Sequence, residues 1–103
     1  MMKQFSPTRL QKVALIELSA DGVTLHRRLP GAVTWVIIEI LSPDGSLIMK
    51  VSPQNFRALS DAKMIEEIEK KDAGDGTTNH TYVYAITAAG RGHAERATDE
   101  TTR

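Results

Sequence analysis

The chain has 103 residues, 41% of them hydrophobic, which is enough for one domain with a single modest core. It contains no cysteine, and this excludes a disulfide scaffold and a thiolate zinc site. Thirteen basic and thirteen acidic side chains give zero net charge, whereas a strong non-specific nucleic-acid binder usually has a basic excess. No apolar run is long enough to span a membrane and no signal-peptide core is present, so we expect a cytoplasmic protein with no membrane association.

The charge is unevenly distributed along the chain. Residues 1–31 carry five basic and two acidic side chains, a net charge of +3. Residues 64–103 carry five basic and eight acidic side chains, a net charge of −3. Such asymmetry allows a local basic face on a neutral molecule, and it equally allows association with a protein partner.

The first element predicted is a helix from Pro7 to about Ala20. Ser6 and Pro7 combine a capping hydroxyl with a residue that needs no backbone donor at the start of a helix. An apolar stripe follows at helical spacing: Leu10, Val13, Ala14 and Leu18. Three of these residues are expected to share one core with apolar residues of the second half: Leu10, Ala14 and Leu18 with Leu59, Ile65, Tyr84 and Ile86. Gln11 belongs to the polar side in this prediction.

The segment 23–51 predicts a three-stranded meander. Its apolar runs at 23–29, 33–41 and 47–51 are rich in β-branched residues and are separated by Pro-Gly and Pro-Asp-Gly turns. A helix over 33–41 is the competing interpretation, because periodicity does not distinguish a short apolar run in a strand from one in a helix.

Two helices and a hairpin are predicted in the second half. Ser52 and Pro53 repeat the helix-start signal and predict a helix from Pro53 to about Ala62 that buries Phe56 and Leu59. A strand over 64–70, a polar loop over 72–79 and a strand over 82–86 follow. Thr87 is placed to cap a last helix over 88–97. Residues 1–97 then form one domain, and 98–103 are expected to be a disordered tail.

The second half has an ordered set of short motifs: Ser52, Leu59, Met64-Ile65-Glu66, Tyr84 and Thr87-Ala-Ala-Gly90-Arg91. This order resembles the end of many bacterial winged-helix regulators, from the serine-led helix to the threonine-x-x-glycine-arginine segment. The resemblance implies that the helix starting at Pro53 is a recognition helix and that the loop over 70–81 is the wing. It covers less than half of the chain.

The first half departs from that pattern. A helix-turn-helix needs a short helix just before the recognition helix, and here strands are predicted in that place. Either 33–41 is helical, or the scaffold keeps the wing and lacks the bihelical unit. The predicted fold class is α+β, a small winged-helix-like domain with an N-terminal helix and an added β-meander.

The resemblance implies a set of DNA-contacting side chains on the second helix and the wing. Glutamine, asparagine and arginine contact base edges and phosphates, and lysine and histidine contact the phosphate backbone. The candidates are Gln54, Asn55, Arg57, Lys63, Lys70, Lys71 and His80. The alternative is an ordinary solvated helix face and a hairpin with polar ends.

The densest basic cluster lies in the first predicted strand. His26, Arg27 and Arg28 form a candidate site for an acidic partner or phosphate, and an exposed Trp35 would add an interface anchor. The alternative interpretations are an edge strand protected by charge and a core tryptophan.

Catalytic and metal-binding patterns are not evident. The three histidines fall in different elements without ligand spacing, and no serine has a neighbouring base. We therefore expect neither an enzyme nor a cofactor. The first hypothesis is a DNA-binding accessory or transcriptional regulatory protein of a bacterium or mobile element, acting on double-stranded DNA as a homodimer. The second is a protein-binding winged-helix module, for example a phage-encoded inhibitor that occludes a larger partner.

Overall fold

The computed structural model describes residues 5–29, 36–72 and 80–101. These residues form helices α1 (Arg9–Leu18), α2 (Pro53–Asp61) and α3 (Ala88–Thr101), and strands β1 (Thr24–Leu29), β2 (Ile37–Leu41), β3 (Leu47–Lys50), β4 (Ile65–Asp72) and β5 (His80–Ile86). The predicted α+β class is confirmed.

The strands form one antiparallel sheet in the order β3-β2-β1-β5-β4. The helices pack against one face of it, called the helix face below, and the other is called the open face. The core between helices and sheet consists of buried aliphatic side chains and one tyrosine, among them Leu15, Leu18, Leu25, Ile40, Leu59, Ile65, Tyr84 and Ile86. Most of the core predicted from the apolar patterns is therefore present.

The second run of the meander is a strand where the structure describes it. Ile37 to Leu41 pairs with β1 on one side and with β3 on the other. The helical alternative is therefore wrong for these residues, while residues 33–35 lie outside the described range. Two strand neighbours hold this apolar run extended, because its backbone groups are paired across the sheet.

Helix α1 begins later than predicted and is rotated about its axis. Thr8, not Ser6, is the N-cap and forms a capping box with Gln11. The buried stripe passes through Gln11, so Leu10 is 60% exposed and the prediction that it joins the core is wrong. Gln11 tolerates burial because its amide is satisfied: its Oε1 accepts from the Thr8 amide at 3.0 Å, and its Nε2 donates to Asn55 Oδ1 at 3.0 Å.

Helix α2 forms as predicted and ends in a left-handed residue. Ser52 caps its N-terminus by accepting from the Asn55 amide at 3.1 Å. At its end, the Met64 amide donates to the Leu59 carbonyl and the Lys63 amide to the Ser60 carbonyl. This is a Schellman motif, with Lys63 at φ 61° in the place that glycine usually takes.

Helix α3 is joined to the end of α2 through Thr87. The Thr87 hydroxyl accepts from the Gly90 amide at 3.1 Å, as the predicted cap requires, and donates to the Lys63 carbonyl at 2.7 Å. The helix continues to Thr101, beyond the predicted end near Ala97, so the residues from Thr98 to Thr101 are helical rather than a disordered tail. Part of the reason is an ion pair at 2.8 Å that joins Glu100 to Lys12 of α1.

The element before α2 decides between the two winged-helix alternatives. Within the described residues it is strand β3, and the β2–β3 hairpin occupies the position of a bracing helix. The domain thus has a helix followed by an antiparallel hairpin, β4–β5, but no bihelical unit in the described part of the chain. The tip of that hairpin, residues 73–79 of the predicted wing, lies outside this part.

Candidate nucleic-acid interface

The outer face of α2 exposes two of the predicted DNA-contacting side chains to solvent. Leu59 is buried against the core, so Gln54 and Arg57 on the opposite side of the helix are exposed. Asn55 differs, because its side-chain oxygen accepts the hydrogen bond from Gln11 and is half-buried. Asn55 therefore fixes α2 on α1, a role that the sequence pattern did not indicate.

Arg27 lies between two aromatic rings at the edge of α2. Its guanidinium carbon is 5.1 Å from the ring centroid of Phe56 on α2 and 4.9 Å from that of Tyr82 on β5. Its Nε is buried and has no hydrogen-bond partner among the described residues. The two rings hold the cation by cation–π attraction and restrict its motion.

Tyr82 extends this arrangement along the hairpin. The Lys70 ammonium on β4 lies 5.8 Å from the Tyr82 ring centroid, and the His80 ring lies 6.5 Å from it. Lys70 is directly opposite Tyr82 in the sheet, and Tyr82 is directly opposite Arg27. Strand register thus places the three cationic or titratable groups around one aromatic side chain on the helix face.

A groove of about 180 Å³ lies between α2 and strands β1 and β2. Its lining includes Arg27, Ile38, Phe56, Arg57 and Asp61. Arg27 belongs to both the groove and the Tyr82 cluster and joins them into one surface. We call it the basic-aromatic surface, and its members are Arg27, Phe56, Arg57, Lys70, His80 and Tyr82.

The open face holds three of the predicted basic residues: His26, Arg28 and Lys71. Arg28 forms an ion pair with Glu39, and His26 shares a hydrogen bond of 2.9 Å with the Thr24 hydroxyl. Burial lowers the pKa of His26 below its ordinary value, and the nearby charges of Lys71 and Arg28 lower it further. Lys71 is opposite Thr81 in the sheet, on the face away from Lys70.

Strand alternation therefore divides the predicted basic cluster between the two faces. Arg27 points to the helices, while His26 and Arg28 point to the open face. The interpretation of an edge strand protected by charge is wrong, because β1 is the central strand and has a neighbour on both sides. The fourth candidate partner-binding residue, Trp35, lies outside the described residues.

Lys63 has a backbone role that the sequence did not indicate. It is exposed at the α2–β4 turn, where its left-handed conformation ends the helix. Conversely, Phe56 and Tyr82 were expected to be core or strand residues, and they form part of the candidate surface. The signal that identifies them is register, since rings and cations alternate on neighbouring strands and on the helix above them.

The side chains of this surface are suited to binding anions and planar groups. Cations and aromatic faces attract phosphates and planar groups, whereas the described residues contain no group of three histidine, aspartate or glutamate side chains placed to hold a metal ion. None of the helices in the described ranges is long and apolar enough to cross a membrane.

Comparison with known proteins gives no family for this chain. No protein-family model, curated protein or solved structure matches it.

Proposed function

We propose that this protein binds double-stranded DNA through the basic-aromatic surface and acts as a cytoplasmic accessory or regulatory protein of a bacterium or mobile element. The observation that supports this best is the position of Arg27, held between Phe56 and Tyr82 at the junction of α2 and the β4–β5 hairpin. A helix and an adjacent hairpin that share one basic surface are the two elements with which a winged-helix domain contacts a duplex.

Phosphate contacts are the main attraction in this proposal. Arg57 and Lys70 are exposed, and Arg27 lines a groove together with Arg57. An arginine held by two rings loses less conformational entropy on binding a phosphate than a free one does. The basic residues of the surface attract phosphate, while Asp61 in the groove and Glu67 on the same face of β4 oppose that attraction.

In this proposal the recognition of DNA bases contributes less to binding than contacts with the DNA phosphate backbone. Asn55 is bonded to Gln11, so Gln54 is the remaining amide of α2 that is free to approach a base edge. Strand β3 stands where a bracing helix would position α2 in the major groove. A single neutral module also makes few phosphate contacts, so we expect the protein to bind DNA as a homodimer with modest sequence preference.

The test is a fluorescence-anisotropy titration of duplex DNA at several salt concentrations. Arg57→Ala should weaken binding to all sequences to a similar extent and reduce the slope of log affinity against log salt by about 0.9, since one phosphate contact is lost. Gln54→Ala should leave the salt slope unchanged and reduce only the preference among sequences.

The matched control is Lys50→Ala. Lys50 is an exposed lysine opposite Glu39 on the open face of the sheet, so its removal changes the net charge equally without touching the basic-aromatic surface. Equal losses of DNA affinity for Arg57→Ala and Lys50→Ala would show that the DNA is attracted by the charge of the whole protein and not by the basic-aromatic surface. Wild-type protein that fails to bind any duplex at low salt would end the DNA proposal.

A second candidate function is supported by the open face of the sheet. A groove of about 410 Å³ lies there, lined by apolar Leu41, Ile68 and Val83 and by charged Glu69 and Lys71. In this proposal the protein is a docking module that occludes a larger partner, as a phage-encoded inhibitor would. Arg28 lies on the same face of β1 as His26, which lines this groove. Arg28→Glu should abolish capture of that partner while leaving DNA affinity unchanged, and the reverse result would reject this candidate.

A further inference from the structure

Strand β4 has a free edge and an unusual charge pattern. It is the last strand of the sheet, with β5 as its neighbour on one side. From Glu66 to Lys71 its side chains are exposed, and Ile68 at the centre is 55% exposed. Acidic residues come first in this segment and basic residues last: Glu66-Glu67-Ile68-Glu69-Lys70-Lys71.

A β-bulge at Ile68 brings Glu67 and Lys70 to one face of the strand and Glu66, Glu69 and Lys71 to the other. Glu67 is opposite Tyr84 and Lys70 is opposite Tyr82, so both lie on the helix face. Glu66 is opposite Ala85 and Lys71 is opposite Thr81, so both lie on the open face. In a regular strand, residues three positions apart point to opposite faces, and the extra residue at the bulge removes that mismatch.

We propose that two copies of this chain pair antiparallel along their β4 edges. With the two-fold axis perpendicular to the sheet at the bulge, Glu66 faces the partner's Lys71 and Glu67 faces the partner's Lys70. Each pair lies on one face, as cross-strand neighbours must. The two Ile68 side chains approach each other near the axis and bury apolar surface that is exposed in the single chain.

The charge pattern selects this arrangement over its alternatives. Parallel pairing in register would place each glutamate against its own copy. An antiparallel pairing shifted by two residues would place Glu66 opposite the partner's Glu69. Charged edge strands normally prevent association, but a segment that begins with Glu66-Glu67 and ends with Lys70-Lys71 is complementary to itself when two copies pair antiparallel, with Glu69 beside the axis.

The same geometry has a consequence for the rest of the molecule. A two-fold axis perpendicular to the sheet keeps the helices of both copies on one side, so the two basic-aromatic surfaces face the same direction. Lys70 then lies at the seam beside Glu67 of the second copy, which leaves Arg27 and Arg57 of each surface to contact phosphates. The pairing itself does not depend on DNA binding. A protein that is monomeric would contradict the interface, while its DNA affinity would still be decided by the anisotropy titration.

The test is sedimentation equilibrium across the micromolar range with charge-reversed variants. Wild-type protein should be dimeric at low salt and should dissociate in about 1 M NaCl, where charges are screened beyond about 3 Å. Glu66→Lys with Glu67→Lys should be monomeric, and so should Lys70→Glu with Lys71→Glu. An equimolar mixture of these two variants should restore a dimer, because each now supplies the charge that the other lacks.

The control variant carries Asp21→Lys and Glu95→Lys, two exposed acidic residues away from β4. It has the same charge change as the acidic reversal and should remain dimeric. Circular dichroism melts of each variant check folding, and recovery of the dimer in the mixture shows independently that both chains are folded. A wild-type protein that is monomeric at all concentrations would overturn the proposal, as would a dimer that survives either reversal or a mixture that stays monomeric.

Discussion

The two faces of the sheet each carry an arginine of β1, and the two arginines have different surroundings. On the helix face, Arg27 is held between Phe56 and Tyr82 and is half-buried. On the open face, its neighbour Arg28 is exposed and pairs with Glu39. The difference arises because adjacent residues of a strand point in opposite directions, so the helices cover one arginine and not the other. Consecutive basic residues of a strand are therefore divided between the two faces of the sheet. The role of each residue follows from the groups that surround it on its own face.

The largest loss of stability is expected for a substitution in the core, where the helices cover the helix face of the sheet. Leu59→Ala removes a completely buried side chain between α2 and the sheet, and it should cost about 2–5 kcal/mol of unfolding free energy in denaturant melts. Leu10→Ala is the matched control at an exposed leucine of α1, and its effect should stay within about 0.5 kcal/mol. Similar losses for both variants would contradict the rotation of α1 described above.

The packing of α3 on the helix face gives the next effect. A methyl group added at Gly90 would overlap the Met64 carbonyl oxygen and lie 2.7 Å from Ile86 Cγ1, so Gly90→Ala should destabilise the domain by about 1–3 kcal/mol. At Gly92 the nearest atom to an added methyl group is 3.8 Å away. Gly92→Ala should therefore stabilise the helix by about 0.5–1 kcal/mol in the same thermal melts. A stabilising effect at both positions would show that α3 does not approach the Met64 carbonyl this closely.

The two arginines test the comparison directly. Arg27→Ala removes a cation from between two partly buried rings and should cost about 1–2 kcal/mol. Arg28→Ala breaks an ion pair whose arginine side chain is 49% exposed, and such pairs contribute about 0.2–1 kcal/mol. Urea unfolding of the two variants side by side measures the difference. A larger loss for Arg28→Ala would reverse the assignment of the faces.

The smallest expected effect is a change of stability with pH that arises from His26 on the open face. The pKa of His26 is lowered in the folded protein, first by burial and then by Lys71 and Arg28, although Glu39 and Glu69 oppose the shift. The unfolded chain therefore binds more protons than the folded chain near the ordinary histidine value of 6.5, and stability rises with pH through that range.

Unfolding free energies measured from pH 5 to pH 7.5 should thus decrease toward the acidic end. His26→Gln should reduce this slope, and the remaining slope should include His93, whose pKa is also lowered by burial and by Arg96. A variant with an unchanged slope would mean that His26 is as solvated in the folded chain as in the unfolded one.

Local patterns were sufficient for the elements and for most of the core. The Ser52-Pro53 signal predicts the start of α2, because a capping hydroxyl and a residue without an amide donor act within one turn. Thr87 likewise predicts the start of α3. Leu59, Ile65, Tyr84 and Ile86 join one core because their spacing matches the period of their elements. The end of α3 was not predictable in this way, since it is held partly by Lys12 from the other end of the chain.

The tertiary structure decided which polar residues are available at the candidate site. Gln11 and Asn55 both appear as ordinary polar positions in the sequence, yet they bond to each other across a separation of 44 residues and are withdrawn from the surface. Tyr82 becomes a site residue only because its two neighbouring strands, β1 and β4, place Arg27 and Lys70 directly opposite it. Sequence spacing does not specify which strands are adjacent.

By itself, the sequence determined the fold class, the order of helices and strands, and the apolar residues that form the core, because those depend on periodicity and capping within short segments. Only the tertiary structure decided that β1 is central and β4 is at the edge, that Arg27 and Arg28 serve different faces, and that the bulge at Ile68 aligns acidic with basic residues. The physical reason is that strand order and register are fixed by the packing of residues distant in the chain, and a side chain's surroundings follow from that packing.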